Sequence, residues 1–519
     1  MFTREQYFQN LGFFAEPFAS TNAQDEEFLD KYFISPPFFR SLVGSLTRPK
    51  SSIVIAPRGF GKTAQRRMLE KIAAENSNEL VCIVYDDFPI EGISKATDVT
   101  FEKHLDRIIK SLLIALLSKI SITDNAKEIY DEYEKKMLLT LIPMYLGNIS
   151  STELSQAIKT IKGIKGRLRD IWMSAGESIN SIINSILISQ GMGKVDLNSW
   201  TVKQSVKRET IFDDLEILEE LFTKIGVESV FVLIDRVDET ALTGNDSNSS
   251  YNLIKPLIKD LRLLERRTIV FKFFLWDKLK EHWENDIRRD RIEIYELNWS
   301  RDQIRQMINK RLQVFSDNKI NSLDKILDCH SSLVDSIFVF SDNSPRDLIN
   351  IMKAIFDTHI NIIEDIGLIP AEENILQGID KFCENKFPEL IKSERQQKDL
   401  KKLKEATFTI PYLANEVFKL KESTVRNIIM PWTRGGIVIP SSNKIRIAKG
   451  KHAINVYTFT DVRVARMVCL NQGLKTFVQR NIIKCQCGKV NVFDKENKYG
   501  LKEWYCSNCQ SKLKAEDSR

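Results

Sequence analysis

The chain has 519 residues, 43% of them hydrophobic and 28% charged, which fits a folded multidomain protein and excludes a disordered or collagen-like one. Eight cysteines in this length exclude a small disulfide-built scaffold and point to metal-binding or core thiols. No run of about 18 apolar residues occurs, and Arg4, Glu5 and Glu16 interrupt the opening "MFTREQYFQNLGFFAEPF". Neither a membrane span nor a signal peptide is expected, and a cytoplasmic location follows.

Residues 1–50 are irregular and rich in aromatics and prolines ("GFFAEPF", "YFISPPFFRSLVG"). They either wall a base pocket or pack on a core. "SSIVIAPRGFGKTAQRRMLE" then begins at Ser51. Four apolar residues, Ile53 to Ala56, lead into a turn with Gly59 and Gly61, then Lys62 and Thr63, then a helical pattern. A strand, a glycine loop and a helix in that order make a phosphate cradle. Glycines let backbone N–H groups approach a triphosphate, and the helix start adds positive dipole. Lys62 is placed for the β- and γ-phosphates and the Thr63 hydroxyl for Mg2+, with Gly59, Phe60, Gly61 and Ala64 lining the cradle. Ala56 stands where G-x-x-x-x-G-K-[ST] has its first glycine.

"LVCIVYDDF" (80–88) reads as a buried strand, and residues 97–225 as a long helical insertion. "SVFVLIDRVDET" (229–240) is an apolar run ending in Asp235, the second half of a nucleotide site. Asp235 is expected to hold Mg2+ through water, with Asp238 or Glu239 orienting the attacking water. Strands at 267–276 and 292–299 complete a parallel α/β sheet. The helix after Ser300 takes that residue as N-cap, with Ile304, Met307, Ile308 and Leu312 on one face. "SDNSPRDLINIMKAIF" (341–356) starts a helix with Pro345 in its first turn and Arg346 beside it.

"APRGFGKT", "VFVLIDRVDE" and "NSPRDL" resemble the AAA+/STAND division of P-loop ATPases, closest to the prokaryotic origin-recognition-complex-like members, over roughly residues 10–460. The resemblance implies an α/β fold: a parallel-sheet P-loop core over 51–300, a helical lid over 301–400 and a winged helix over 401–475. It implies Lys62 and Thr63 as phosphate and Mg2+ residues and Asp235 as the carboxylate supporting the metal. It implies Arg346 as the lid arginine sensing the γ-phosphate. The spacing Asp235, Asp238, Glu239 is closer to the STAND pattern D-G-x-D-E, and Arg236 stands where AAA+ proteins have a catalytic glutamate. Trp276 and Asp277 stand where a small polar sensor is expected. Arg288, Arg289 and Arg291 precede the 292–299 strand, the usual place of an arginine finger acting on a neighbouring subunit; a solvated basic turn is the alternative.

Residues 401–519 carry 23 Lys and Arg against 9 Asp and Glu, a net of +14, while the first 400 residues sum to −8. A basic end suits DNA phosphates. Within it, "FTIPYLANEVF" offers a first helix and "KESTVRNIIMPWTRGGIV" a second, capped by Ser423, with Val425, Ile428, Ile429 and Trp432 inward and Pro431 expected to kink or end it. A wing hairpin follows, studded by Lys444, Arg446, Lys449 and Lys451, with Arg426 and Arg434 on the helix. A winged helix used only for packing is the alternative. Finally, Cys485 and Cys487 are followed by Cys506 and Cys509, two close pairs that read as a closed four-thiolate zinc ribbon over 476–519. Cys82, Cys329, Cys383 and Cys469 are isolated. The expected protein is an ATP- and Mg2+-dependent switch with structural Zn2+. It would engage double-stranded DNA mainly at phosphates, assemble as a homo-oligomer and work with an effector protein in anti-phage defence or replication. A DNA-binding scaffold or regulator that holds ATP without useful hydrolysis is the second reading, and a transcription regulator with tight sequence-specific sites the third.

Overall fold

Buried strands with no alternation belong to a sheet covered on both faces. In a computed structural model, described over residues 2–124, 126–162, 172, 179–197, 211–283, 286–441, 444–445, 453–496, 498–501 and 503–513, the apolar runs of the first half form such a sheet. Its strands are β1 (Ser52–Ala56), β2 (Leu80–Tyr85), β3 (Ile161–Lys162), β4 (Ser229–Ile234), β5 (Ile269–Trp276) and β6 (Glu293–Glu296). Every residue of β1, β2 and β4 is buried, whereas β6, at the edge, is half exposed. The spatial order is β3-β2-β4-β5-β1-β6. All pairs are parallel except β2 with β3. The loops that leave β1, β4 and β5 therefore emerge at one edge of the sheet, with β5 between the other two. Ala56 is level with Trp276 in the register.

The insertion is helical, as expected, with helices Phe101–Ile120, Glu132–Leu146, Ser151–Thr160, Ile179–Ser189 and Ile211–Lys224 among its described residues. Thr100 caps the first, which packs as the apolar centre of this region. The two-residue strand β3 is not foreshadowed in the sequence: it is too short to carry a period. It joins the sheet antiparallel to β2 at Cys82 and Ile83.

The chain divides into two compact units, Ser35–Asn298 around this sheet and Met1–Ile34 with Trp299–Arg519. In the second unit, Ser300 caps the helix Arg301–Phe315 through a capping box with Gln303, and Ile304, Met307, Ile308 and Leu312 are buried. The N-terminal aromatics pack here. Phe8 meets Phe356 at 5.1 Å between ring centroids, and Phe14 stacks on Phe315 at 5.8 Å. Arg311 is buried and donates to Tyr32 at 2.8 Å while pairing with Glu26, which ties residues 17–32 to the helix.

Toward the C-terminus, β7 (Thr407–Thr409), β8 (Val438–Pro440) and β9 (Val456–Phe459) form an antiparallel sheet in the order β7-β9-β8. The helix Glu422–Arg434 buries Val425, Ile429 and Trp432, and Ile428 is half-buried. One expectation about this helix is corrected, its cap, and of the two outcomes expected at Pro431 the helix does not end there. Its N-cap is Lys421, so Ser423 lies inside it, and it continues past Pro431 to Arg434. A proline there removes one N–H whose helical acceptor would be Asn427, an exposed residue whose carbonyl water can serve. The preceding stretch is a helical turn at Ile410–Tyr412 running into a π turn, Leu413–Val417. The β8–β9 hairpin extends to a bridge between Ile445 and Ile454, with Lys444 exposed; Arg446, Lys449 and Lys451 lie outside the described residues.

The last segment is two antiparallel pairs, β10 (Ile482–Lys484) with β11 (Val490–Val492) and β12 (Trp504–Tyr505) with β13 (Lys512–Leu513). Ile483, Phe493, Trp504 and Leu513 share one apolar cluster with Ile445 and Val456, so this segment and the β8–β9 hairpin have a common core. Among the described residues, no helix is long and apolar enough to cross a membrane.

Candidate functional site

The loop between β1 and the helix Lys62–Glu75 is built by its glycines. Gly59 and Gly61 have φ of 82° and 91°, a conformation that glycine adopts without strain. Gly61 is the N-cap and has no side chain to cover the first-turn N–H groups of the helix. Ser51 to Ala56 are buried, while Pro57 to Ala64, including Phe60, are partly exposed to solvent. Lys62 folds back over the loop: its Nζ donates to the carbonyls of Ala56 at 2.9 Å and Pro57 at 3.1 Å.

Asp235 comes to this helix from the end of β4. The Thr63 hydroxyl donates to its Oδ2 at 3.0 Å, across 172 positions of sequence. Arg66, 1% exposed, donates from Nε to the same oxygen at 2.9 Å and also pairs with Glu70. The Arg236 backbone N–H donates to Oδ1 at 2.9 Å, so both carboxylate oxygens are held. Burial opposes the Arg66 charge, but Asp235, Glu70 and Asp86 outweigh it and hold the guanidinium above its ordinary value. Arg236 has φ 58°, a left-handed backbone that costs a side-chain-bearing residue of order 1 kcal/mol.

The two further acids diverge. Asp238 is buried and takes Arg58, whose Nε donates to Oδ2 at 2.6 Å. Glu239 has a side chain 57% exposed and pairs with Arg236 at 3.7 Å. The Arg58 guanidinium also lies 4.2 Å from the centre of the Trp276 ring, at the end of β5. Arg58 and Arg66 are contributors the sequence reading missed. Each reads locally as loop or helix-face charge, and each partner is about as distant in sequence as Thr63 is from Asp235.

One predicted arginine of the same unit, Arg289, is not in this group. Arg289 is exposed and lines an open cleft of about 650 Å³ beside β6, together with Lys50, Arg266, Arg291 and Glu293. Its neighbours Arg288 and Arg291 pair with Asp290 and Glu265. Arg346 belongs to the other unit and is exposed at the second position of the helix Pro345–Ile360, behind Ser344 as N-cap. That first turn is fixed by Asp347, which accepts from Arg463 and Lys386.

Cys485, Cys487, Cys506 and Cys509 bring their sulfurs within 4.8 Å of one another. The Cys485–Cys509 pair stands at 3.5 Å and the Cys487–Cys506 pair at 3.6 Å. A tetrahedral zinc with bonds of about 2.3 Å sets its sulfurs about 3.8 Å apart, so the cluster fits that ion and leaves no position for a fifth group. Two matching turns present the thiols. The Cys485 N–H donates to Lys489 and the Cys506 N–H to Ser511, with Gly488 at φ 87° and Gln510 at φ 59°. N–H groups of Asn508 and Asn491 approach the Cys506 sulfur at 3.4 and 3.5 Å, favouring a thiolate. Burial pushes the Cys485 thiol up to about 12, while the Ser511 hydroxyl leads the bonds that hold Cys509 down at about 6. Cys82, Cys383 and Cys469 are buried and Cys329 is partly so, all outside this cluster.

On the helix Glu422–Arg434, Arg426 and Arg434 are exposed. The Arg426–Glu422 pair, at 3.4 Å between exposed groups, restrains Arg426 little. Compared with known proteins, the sequence matches no family model and no curated protein.

Proposed function

We propose that residues 35–298 form a Mg2+-dependent ATP-binding and hydrolysing core of the AAA+/STAND P-loop type, and that the protein is a nucleotide-operated switch acting on DNA. The observation that carries this reading is the meeting of Thr63 and Asp235 at 3.0 Å beside Lys62. A hydroxyl and a carboxylate at that spacing suit a Mg2+ shell in which the hydroxyl binds directly and the carboxylate acts through water. Lys62 now bonds two loop carbonyls, contacts that an incoming phosphate would replace with stronger charge-assisted ones. Left-handed Arg236 sits at the glycine position of D-G-x-D-E, which supports the STAND comparison on conformational grounds.

The test is nucleotide turnover by purified protein with and without DNA. Wild type is expected to hydrolyse ATP, and Lys62→Ala and Thr63→Ala to abolish it; equal turnover in Lys62→Ala would remove the assignment. A second reading, ATP held without useful hydrolysis, is favoured by one feature: Glu239 is exposed and paired with Arg236. ATP binding with no DNA-stimulated turnover would select it.

In the other unit, the β7–β9 sheet with the helix Glu422–Arg434 is taken as a winged helix that meets DNA phosphates through Arg426, Arg434, Lys444 and the basic hairpin. The Cys485/Cys487/Cys506/Cys509 cluster holds structural Zn2+. Arg346 is assigned to sensing the γ-phosphate and Arg289 to a neighbouring copy's nucleotide, which requires a homo-oligomer. An effector protein and a setting in anti-phage defence or replication follow from the family resemblance alone.

A further inference from the structure

We infer that Arg58 discriminates ATP from ADP: its guanidinium is held by Asp238 when no terminal phosphate is present and passes to that phosphate when ATP binds. This rests on the ATP-site reading above. Arg58 belongs to the loop that leads into Lys62, so a phosphate seated on that loop is within reach of its side chain. Its guanidinium is placed rather than loose. One edge bonds Asp238 at 2.6 Å and one face lies 4.2 Å from the Trp276 ring centre. The Arg58 side chain is 35% exposed and that of Asp238 is 8% exposed. The cation is therefore partly accessible, whereas its carboxylate partner is enclosed.

Two anions then compete for one cation. A terminal phosphate carries more charge than a carboxylate and matches the guanidinium fork equally well. ADP lacks that phosphate and leaves the Arg58–Asp238 pair intact. Trp276, in the place of a small polar sensor, serves as the platform across which the guanidinium moves. The competition has a sign that a static structural pair lacks. Removing Arg58 weakens ATP binding, whereas neutralising Asp238 strengthens it, because the rival anion is gone.

The experiment is calorimetric binding of a non-hydrolysable ATP analogue and of ADP to the full chain with Mg2+, for wild type, Arg58→Ala, Arg58→Lys, Asp238→Asn and Lys62→Ala. Arg58→Ala is expected to lose about tenfold in affinity for the ATP analogue, the worth of one charge-assisted contact, and to leave ADP within about twofold. Arg58→Lys should fall between, keeping charge without the fork. Asp238→Asn should bind the ATP analogue about threefold more tightly, with ADP unchanged. The ATP analogue but not ADP should change the part of the tryptophan emission that Trp276→Phe removes. If both nucleotides shift together in Arg58→Ala, or Asp238→Asn weakens the ATP analogue, Arg58 only holds the loop and the inference is overturned. If Arg58→Ala unfolds, Arg58→Lys and Asp238→Asn still give the two opposite signs. Unchanged binding in Lys62→Ala would overturn the ATP site itself. Binding that depends on Lys62 with an ATP/ADP ratio indifferent to Arg58 would overturn this inference alone.

Discussion

Asp235→Ala should destabilise the unit Ser35–Asn298 strongly even without nucleotide. The change strips a partner from Arg66, a guanidinium that is 1% exposed and bonded to Asp235 at 2.9 Å. Breaking a buried ion pair from one side costs about 3–5 kcal/mol, because the remaining charge stays out of water. Glu70 and Asp86 continue to attract Arg66, which places the loss near the low end, about 3 kcal/mol. At about 2–4 °C per kcal/mol for a unit of this size, the thermal midpoint should fall by about 6–12 °C. Asp235→Asn keeps an acceptor for Thr63 and should cost less, about 1–2 kcal/mol. Removing both charges, as in Arg66→Met with Asp235→Ala, should recover part of the loss, since the buried guanidinium is gone, and only part, since Glu70 then loses its partner. The assay is thermal unfolding of the full chain followed by circular dichroism, wild type beside the three variants. A midpoint for Asp235→Ala within about 1 °C of wild type would show that Arg66 does not depend on this carboxylate.

Glu239→Gln should slow ATP turnover by about a hundredfold while leaving ATP bound, as expected for loss of a water-orienting base; slowing by Asp238→Asn alone would transfer that role. His104 is buried; its Nε2 donates to the Leu253 carbonyl at 2.8 Å, its Nδ1 accepts from the Tyr85 hydroxyl at 2.7 Å, and burial lowers it to about 4. A neutral buried histidine stabilises the fold above the ordinary value near 6.5, and that stability drains as pH falls toward 4, by on the order of 3 kcal/mol. Denaturant titrations from pH 7 to 4 should show this slope flattened in His104→Gln; an unchanged slope contradicts it. Metal analysis should find one zinc per chain, and Cys506→Ser should release it and loosen the β8–β9 hairpin, which shares a core with the ribbon. Zinc-free protein with four intact thiols would reject the site. DNA affinity should fall steeply with salt, and Lys444→Ala with Arg426→Ala should shallow that slope; a slope unchanged in that variant would move the DNA surface elsewhere.

What was legible in the sequence was local. Ile53 to Ala56 followed by paired glycines announced a strand and a loop, because four apolar residues without alternation have few other uses. Asp235 was readable as an acid closing an apolar run. Ser300 and Pro345 marked helix starts through capping chemistry that acts within four residues. The rest lay in pairings between distant positions. Arg66 occupies a helix face whose spacing says only that it turns inward, and its carboxylate lies 169 residues away. Arg58 and Asp238 are 180 apart. The left-handed backbone at Arg236 is invisible in a residue type that rarely adopts it. The ribbon cysteines were readable by spacing, but not the fusion of their core with the hairpin: strands of two to four residues carry too little periodicity to say what they face.

Joint binding of Mg2+–ATP by Lys62, Thr63 and Asp235, as proposed, is tested by calorimetric titration of ATP into the full-length protein with and without Mg2+. One site per chain is expected in wild type, weakened by removal of Mg2+ and by Thr63→Ala. In Lys62→Ala, affinity should fall about tenfold or more, since a charge-assisted phosphate contact is lost. No heat of binding in wild type, or the same affinity in Lys62→Ala, would contradict it.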